Sequence, residues 1–234
     1  MRSFLAILVC CVLSSPVRAY NRLTPEQVTD GWISLFDGET LFGWKSTSEV
    51  DWQATGGAIR ATTGAAGWLM TTSTFADYQL HVEFKAPATT NSGIFLRSPL
   101  RPKNPTQDCY EVNIAAPENP FPTGKLVGRT ANEPNTERAA NPPPEVLREL
   151  KVLDVWDGNW HAFDITAQGD KISIKCDGHM FYELVDPEPR LKGRIGLQFR
   201  EGEIAFRNIR LKPLGTKPIF TGKDLSGWNT DRAD

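Results

Sequence analysis

The sequence predicts an all-β protein, a two-sheet antiparallel sandwich of the jelly-roll type, and three observations carry that expectation. Short runs alternate apolar and polar residues with a period of two. Turn signals separate these runs at close intervals, as antiparallel hairpins require. No segment sustains the 3.6-residue period of an amphipathic helix.

Along the chain, the first 19 residues read as a secretory signal: Met1-Arg2 is a charged start, Phe4 to Leu13 an apolar run, and Val17-Arg18-Ala19 a small-residue cleavage site before Tyr20. The apolar run is too short to span a bilayer, so the mature chain is expected in the periplasm or outside the cell, without a membrane anchor. A short lead-in, residues 20–29, carries one helical turn in which Thr24 caps, Pro25 suits the first position and Gln27 completes a capping box. A single sandwich domain is then expected over residues 30–212. Its clearest strand is Tyr78 to Lys85, with Tyr78, Leu80, Val82 and Phe84 on one face and His81, Glu83 and Lys85 on the other. Similar runs occupy residues 58–61, 93–97, 110–114, 161–167, 171–176, 180–184, 194–200 and 204–211. Between them stand Asp37-Gly38, Gly56-Gly57, Asp157-Gly158, Gly169-Asp170, Asp177-Gly178 and Glu201-Gly202-Glu203. Asp177-Gly178 is the sharpest, since a two-residue hairpin turn needs positive φ twice.

Ten of the 17 prolines lie between Pro99 and Pro144, so the segments flanking the strand at 110–114 cannot be central strands. The longer of them, residues 115–150, far exceeds the usual loop of about 4–6 residues, a length found in functional or disordered loops, and at least one of the two segments should border whatever the strand displays.

Composition narrows the partners. The 234-residue chain is 40% hydrophobic, which is neither disordered nor a minimal disulfide or zinc scaffold. Losing Arg2 and Arg18 with the signal leaves 24 basic against 28 acidic side chains, a net charge of −4. That balance offers no electrostatic footprint for nucleic acid or an anionic membrane. Of four cysteines, only Cys109 and Cys176 survive cleavage; a disulfide between them and two inert thiols are both open.

Chemistry is sought on the polar faces. Glu111 and Asn113 share one side of their strand, Arg97 lies opposite Ile94 and Leu96 beside Phe95 and Gly93, and Gln198 and Arg200 oppose Ile195, Leu197 and Phe199. A solvated convex sheet face fits this pattern. Phe95 and the glycines favour instead a concave face that receives a ligand.

The landmarks 33-Ile-Ser-Leu-Phe-Asp-Gly-38, Gly43-Trp44, 91-Asn-Ser-Gly-Ile-Phe-Leu-Arg-97, 109-Cys-Tyr-Glu-Val-Asn-Ile-114, Trp160, Gly196-Leu197-Gln198 and 206-Phe-Arg-Asn-Ile-209 together resemble the 3-keto-disaccharide hydrolase domain family, over about residues 30–212. The resemblance implies a concanavalin A-like jelly roll and a secreted or periplasmic enzyme that cleaves glycosides already oxidised at C3. A C3 ketone acidifies the C2 hydrogen, so one base can start an elimination of the C1 substituent, which water addition then completes. On this reading Glu111 is the base, Arg97 the electrostatic partner of the oxyanion, and Asn113 and Gln198 orient the substrate. Phe95, Arg129 and His81 are further candidate substrate contacts, with His81 a reserve for the base. A structural Glu111–Arg97 ion pair and a non-catalytic carbohydrate-binding module of similar fold are the alternatives.

An ordinary glycosidase needs two carboxylates at fixed separation, and the Glu111 face of this strand has no second acid. His81, His161 and His179 show no metal-ligand spacing; His161 reads as a satisfied core residue and the other two as surface residues. No cofactor is expected, although scattered acids leave room for a structural calcium ion. Trp156, beside Asp157-Gly158, could stack on a sugar ring. Finally, residues 219–228 repeat residues 35–44 with Phe, Gly, Leu, Gly and Trp in register, so residues 213–234 read as a linker and either the opening of a truncated second copy or a vestige of one.

Overall fold

A computed structural model describes residues 20–127 and 155–216. The signal segment, Arg129, most of the long proline-rich segment and the repeat at 219–228 lie outside the described residues. In chain order the elements are α1 (Pro25–Thr29), β1 (Ile33–Ser34), β2 (Trp44–Ser46), β3 (Gln53–Thr55), β4 (Ala58–Ala61), β5 (Gly67–Thr71), β6 (Tyr78–Lys85), β7 (Asn91–Ser98), α2 (Pro105–Asp108) and β8 (Tyr110–Ala115). There follow β9 (Leu126–Val127), β10 (His161–Gln168), β11 (Lys171–Cys176), β12 (His179–Val185), β13 (Arg194–Glu201) and β14 (Ile204–Pro213). They form a jelly-roll sandwich of two antiparallel sheets. The first runs β12-β11-β10-β6-β14-β4-β3, with β1 added to β14; the second runs β2-β5-β13-β7-β8-β9.

The first sheet behaves as its sequence dictates. On β6 the apolar residues are buried and the intervening ones half-buried, and on β10 the same alternation continues. Phe84 of β6 and Phe163 of the neighbouring β10 stack at 4.9 Å on the inner face of the first sheet, inside a cluster to which both sheets contribute. The β11–β12 hairpin closes through Asp177 and Gly178 at φ 47° and 82°, the double positive φ that this turn demands. The capping box of α1 is in place: the Gln27 amide donates to Thr24 Oγ1 at 3.3 Å and the Thr24 amide to Gln27 Oε1 at 2.9 Å.

The central strands of the second sheet are buried on both sides. Every residue of β8 is buried, and so are Ile195 to Phe199 of β13. A solvated convex face is thereby ruled out for the surface carrying Glu111, Asn113 and Gln198. One helical turn escapes the sequence pattern: α2 forms inside the first proline-rich segment, with Asn104 accepting from Thr106 N and Pro105 at the opening position. Cys109, between α2 and β8, and Cys176, at the end of β11, are both buried and both free, which settles their pairing in favour of two inert thiols. Burial pushes the Cys109 thiol up to about 12.

Candidate active site on the outer face of the second sheet

Antiparallel register gathers the site. Phe95 of β7 pairs with Glu111 of β8, and Gly93 with Asn113. Across the other edge of β7, Gln198 of β13 pairs with Gly93 and Gly196 with Phe95. Directly paired residues point to the same face, so Phe95, Glu111, Asn113 and Gln198 stand together on the outer side. On the same side Phe95 joins Met70 and Cys109 in a small apolar cluster, with Trp68 and Leu100 packed against it.

Glu111 is the centre of this surface, only 7% exposed. Burial pushes its carboxyl up from 4.5 to about 7, against the opposing pull of a hydrogen bond from Gln198 and the charge of Arg200. Its side chain lies over Gly93: a Cβ there would come within 3.1 Å of Glu111 Oε1 and 3.2 Å of Cγ. Likewise a Cβ on Gly196 would meet Met70 Sδ at 2.5 Å. These glycines therefore make room for neighbouring side chains, whereas the sequence suggested that they let a ligand reach the backbone. Asn113 is spent on the β8–β9 connection, where its Nδ2 donates to the Phe121 carbonyl. Its backbone N–H donates to Lys125 O at 3.0 Å and its carbonyl accepts from Gly124 N at 2.9 Å.

Two expected members are elsewhere. Arg97 does not meet Glu111, either as an oxyanion partner or as an ion pair. Its backbone sits at φ 51°, which breaks the strand alternation and sends the side chain off the face. The guanidinium, 1% exposed as a residue, donates to Ala76 O at 3.1 Å, to Gly169 O and Arg190 O at 2.6 Å each, and to the Asp77 carboxylate at 2.9 Å. It ties three loops together at one end of the sandwich. His81 is on β6 in the first sheet, where Nδ1 lies 2.6 Å from Asp164 Oδ1 and Nε2 3.9 Å from Glu83 Oε1. Burial pulls its pKa down, but these two carboxylates outweigh that and the net shift is upward. A proton held there by two acids on the opposite sheet is of no use to Glu111.

The remaining histidine and tryptophan candidates also sit apart. His161 is buried and satisfied, with Asp177 Oδ2 at 2.7 Å and Asp157 Oδ1 at 3.0 Å. Trp156 lines a cleft of about 220 Å³ with Arg60, Lys85 and Glu203, on the first sheet. Among the described residues no group of three or more His, Cys, Asp and Glu side chains could hold a metal ion.

Sequence reasoning missed Trp68. It lies on β5 directly opposite Gln198, its ring 5.7 Å from that of Phe95 and tilted by 46°. Both Trp68 Nε1 and Gln198 Oε1 are buried without a hydrogen-bond partner among the described residues. The signal that would have found Trp68 is its place in Gly67-Trp68-Leu69-Met70-Thr71, an apolar run too short for a helix.

Solved structures share this fold. A Parabacteroides distasonis ATCC 8503 protein, provisionally named a glycosyl hydrolase, superposes with a TM-score of 0.62 at 18% identity, covering 83% of this chain and 99% of its own. A second protein of that bacterium, with the same provisional name, gives 0.56 at 22% identity, covering 78% and 99%. The exoplasmic/lumenal domain of VIP36, in its Ca²⁺/Man3GlcNAc-bound form, gives 0.50 at 10% identity, covering 81% and 90%. No curated protein matches the chain in sequence. The 3-keto-alpha-glucoside-1,2-lyase-like domain matches residues 31–212, and the chain belongs to that family.

Proposed function

We propose that the protein cleaves the glycosidic bond of 3-keto-glycosides, with Glu111 as the base that removes the C2 proton. The observation that carries this reading is the Glu111 carboxyl itself: buried, without an ion-pair partner among the described residues, and pushed by burial up to about 7. A general base works best when its pKa lies near the operating pH. A module that only binds sugar has no need of such a group. The family and the provisionally named bacterial neighbours support a carbohydrate-related function. The signal expected at residues 1–19 would deliver the enzyme to the periplasm or outside the cell.

In this mechanism Glu111 takes the C2 proton and the C–H electron pair forms an enediolate across C2 and C3. Its collapse restores the C3 carbonyl, makes a C1–C2 double bond and breaks the bond from C1 to the leaving oxygen, which takes up a proton from water. Hydroxide from that water then adds at C1 while Glu111 returns its proton to C2, which gives 3-ketoglucose and regenerates the base. One carboxyl suffices, which agrees with Glu111 being the single acid on its side of β8.

The test is a panel of 3-keto-glycosides, with release of 3-ketoglucose followed for wild type and Glu111→Gln. Wild-type turnover should rise with pH through about 7. Glu111→Gln should lose about 10²- to 10⁴-fold while folding normally. Near wild-type turnover in a folded Glu111→Gln protein, or no turnover of any keto-glycoside by wild type, rejects the assignment.

A further inference from the structure

We propose that Trp68 and Gln198 form a donor–acceptor pair for the oxidised sugar, Trp68 donating its indole N–H to the C3 oxygen and Gln198 Oε1 accepting from the C2 hydroxyl. This rests on Glu111 acting as the base at C2.

Trp68 Nε1 and Gln198 Oε1 are both orphaned among the described residues. Buried polar groups are almost always paired, so each exception calls for an explanation. Six buried side-chain polar atoms lack a partner among the described residues, and of these only Trp68 Nε1 and Gln198 Oε1 belong to strand residues facing outward on the second sheet. The two residues are direct cross-strand neighbours, which puts their Cβ atoms about 5 Å apart. Gln198 also hydrogen-bonds Glu111, so its free oxygen is carried beside the base. Phe95 packs against the Trp68 ring and sets its tilt.

An orphaned donor next to an orphaned acceptor is the complement of an α-hydroxyketone. The ketone oxygen only accepts, and the neighbouring hydroxyl can donate. An indole N–H only donates, so a C3 hydroxyl placed there would gain no acceptor for its own proton. The pair thus favours the oxidised sugar over its parent. During C2 deprotonation negative charge grows on the C3 oxygen, and a preplaced donor strengthens as it does. Trp68 then fills the oxyanion role that Arg97, committed to the loop end, leaves vacant.

The first experiment is Trp68→Phe, which keeps an aromatic ring and removes the N–H. On a 3-keto-glycoside kcat should fall about 10²-fold, as for loss of one oxyanion donor, with KM nearly unchanged. The second compares each 3-keto-glycoside with its 2-deoxy analogue. Wild type should prefer the 2-hydroxy compound by about 10-fold, and Gln198→Leu should abolish that preference whatever its absolute rate. If Trp68→Phe misfolds, the readout moves to Glu111→Gln protein carrying ¹⁵N-labelled tryptophan: the Trp68 indole N–H resonance should shift on saturation with a 3-keto-glycoside and not with the parent glycoside. Trp68→Phe turnover within about threefold of wild type, an unmoved indole resonance, or a 2-hydroxy preference that survives Gln198→Leu overturns the pair while leaving Glu111 as the base. Failure of wild type to process any keto-glycoside would instead remove the reading beneath it.

Discussion

Replacing Glu111 by Gln should make the protein more stable at pH 8 even as it abolishes turnover. The carboxyl is raised from 4.5 to about 7 in the folded state because burial penalises its charged form. Between those values the unfolded chain carries an ionised Glu111 and the native chain a protonated one, so the unfolded state has lost a proton that the native state keeps. Stability contributed by the protonated carboxyl is therefore complete below about 4.5 and lost as pH rises through about 7. An interval of about 2.5 in pH corresponds to about 3 kcal/mol, or roughly 6–12 °C in Tm for a domain of this size. Gln is nearly isosteric with protonated Glu and does not ionise, so it escapes this loss. Urea unfolding of both proteins at pH 4 and pH 8 measures it, and other titrating groups cancel in the comparison. The gap between them should be near zero at pH 4 and about 3 kcal/mol in favour of Glu111→Gln at pH 8. Equal gaps at the two pH values, or a variant less stable at pH 8, would refute the claim that burial strains this carboxyl.

Arg97→Met should destabilise the fold by about 3 kcal/mol or more, because it leaves Asp77 and three loop carbonyls without their shared donor. Turnover per folded molecule, measured at low temperature, should stay within a few-fold of wild type, whereas a catalytic Arg97 would cost orders of magnitude. Gly93→Ala acts on Glu111 by contact alone, since the new Cβ would sit 3.1 Å from both Glu111 Oε1 and Val112 O. Displacement of the carboxylate should lower kcat/KM about 10- to 100-fold with a stability loss of about 1–3 kcal/mol by urea unfolding, and unchanged kinetics would show that its position is not critical.

How far the sequence could be read follows from which strands are half-buried. β4, β6 and β11 have the bounds that alternation gives them, because one face meets the core and the other is more exposed. β5 is buried nearly throughout, so its residues form an apolar run with no period, and Trp68 went unseen with it. β1, β2, β3 and β9 are two or three residues long, too short for any period. Parity alone brought Phe95, Glu111, Asn113 and Gln198 to one face, since pairing across β7 keeps residues of like parity together. It failed for His81, because alternation tells which side of its own strand a residue takes and not which of two sheets that strand joins. It failed for Arg97 because counting by twos assumes a continuous strand.

The break at Arg97 and the behaviour of Glu111 are one fact. A positive φ at a non-glycine residue is uncommon, and here the close approach of Gly193 accompanies it: a Cβ on Gly193 would lie 2.2 Å from the Arg97 carbonyl carbon. Had β7 run on without this twist, the guanidinium would have pointed to the Glu111 side. An arginine in contact holds a carboxylate below its ordinary pKa, which would leave Glu111 a weak base at neutral pH. With Arg97 drawn away to Asp77, the charge that acts on Glu111 among the described residues is that of Arg200, an exposed residue that solvent screens. Burial then prevails and the carboxyl titrates at about 7. The arginine that looked like the catalytic partner thus serves the site by staying out of it, and Arg97→Met should leave the pH dependence of the folded enzyme unmoved.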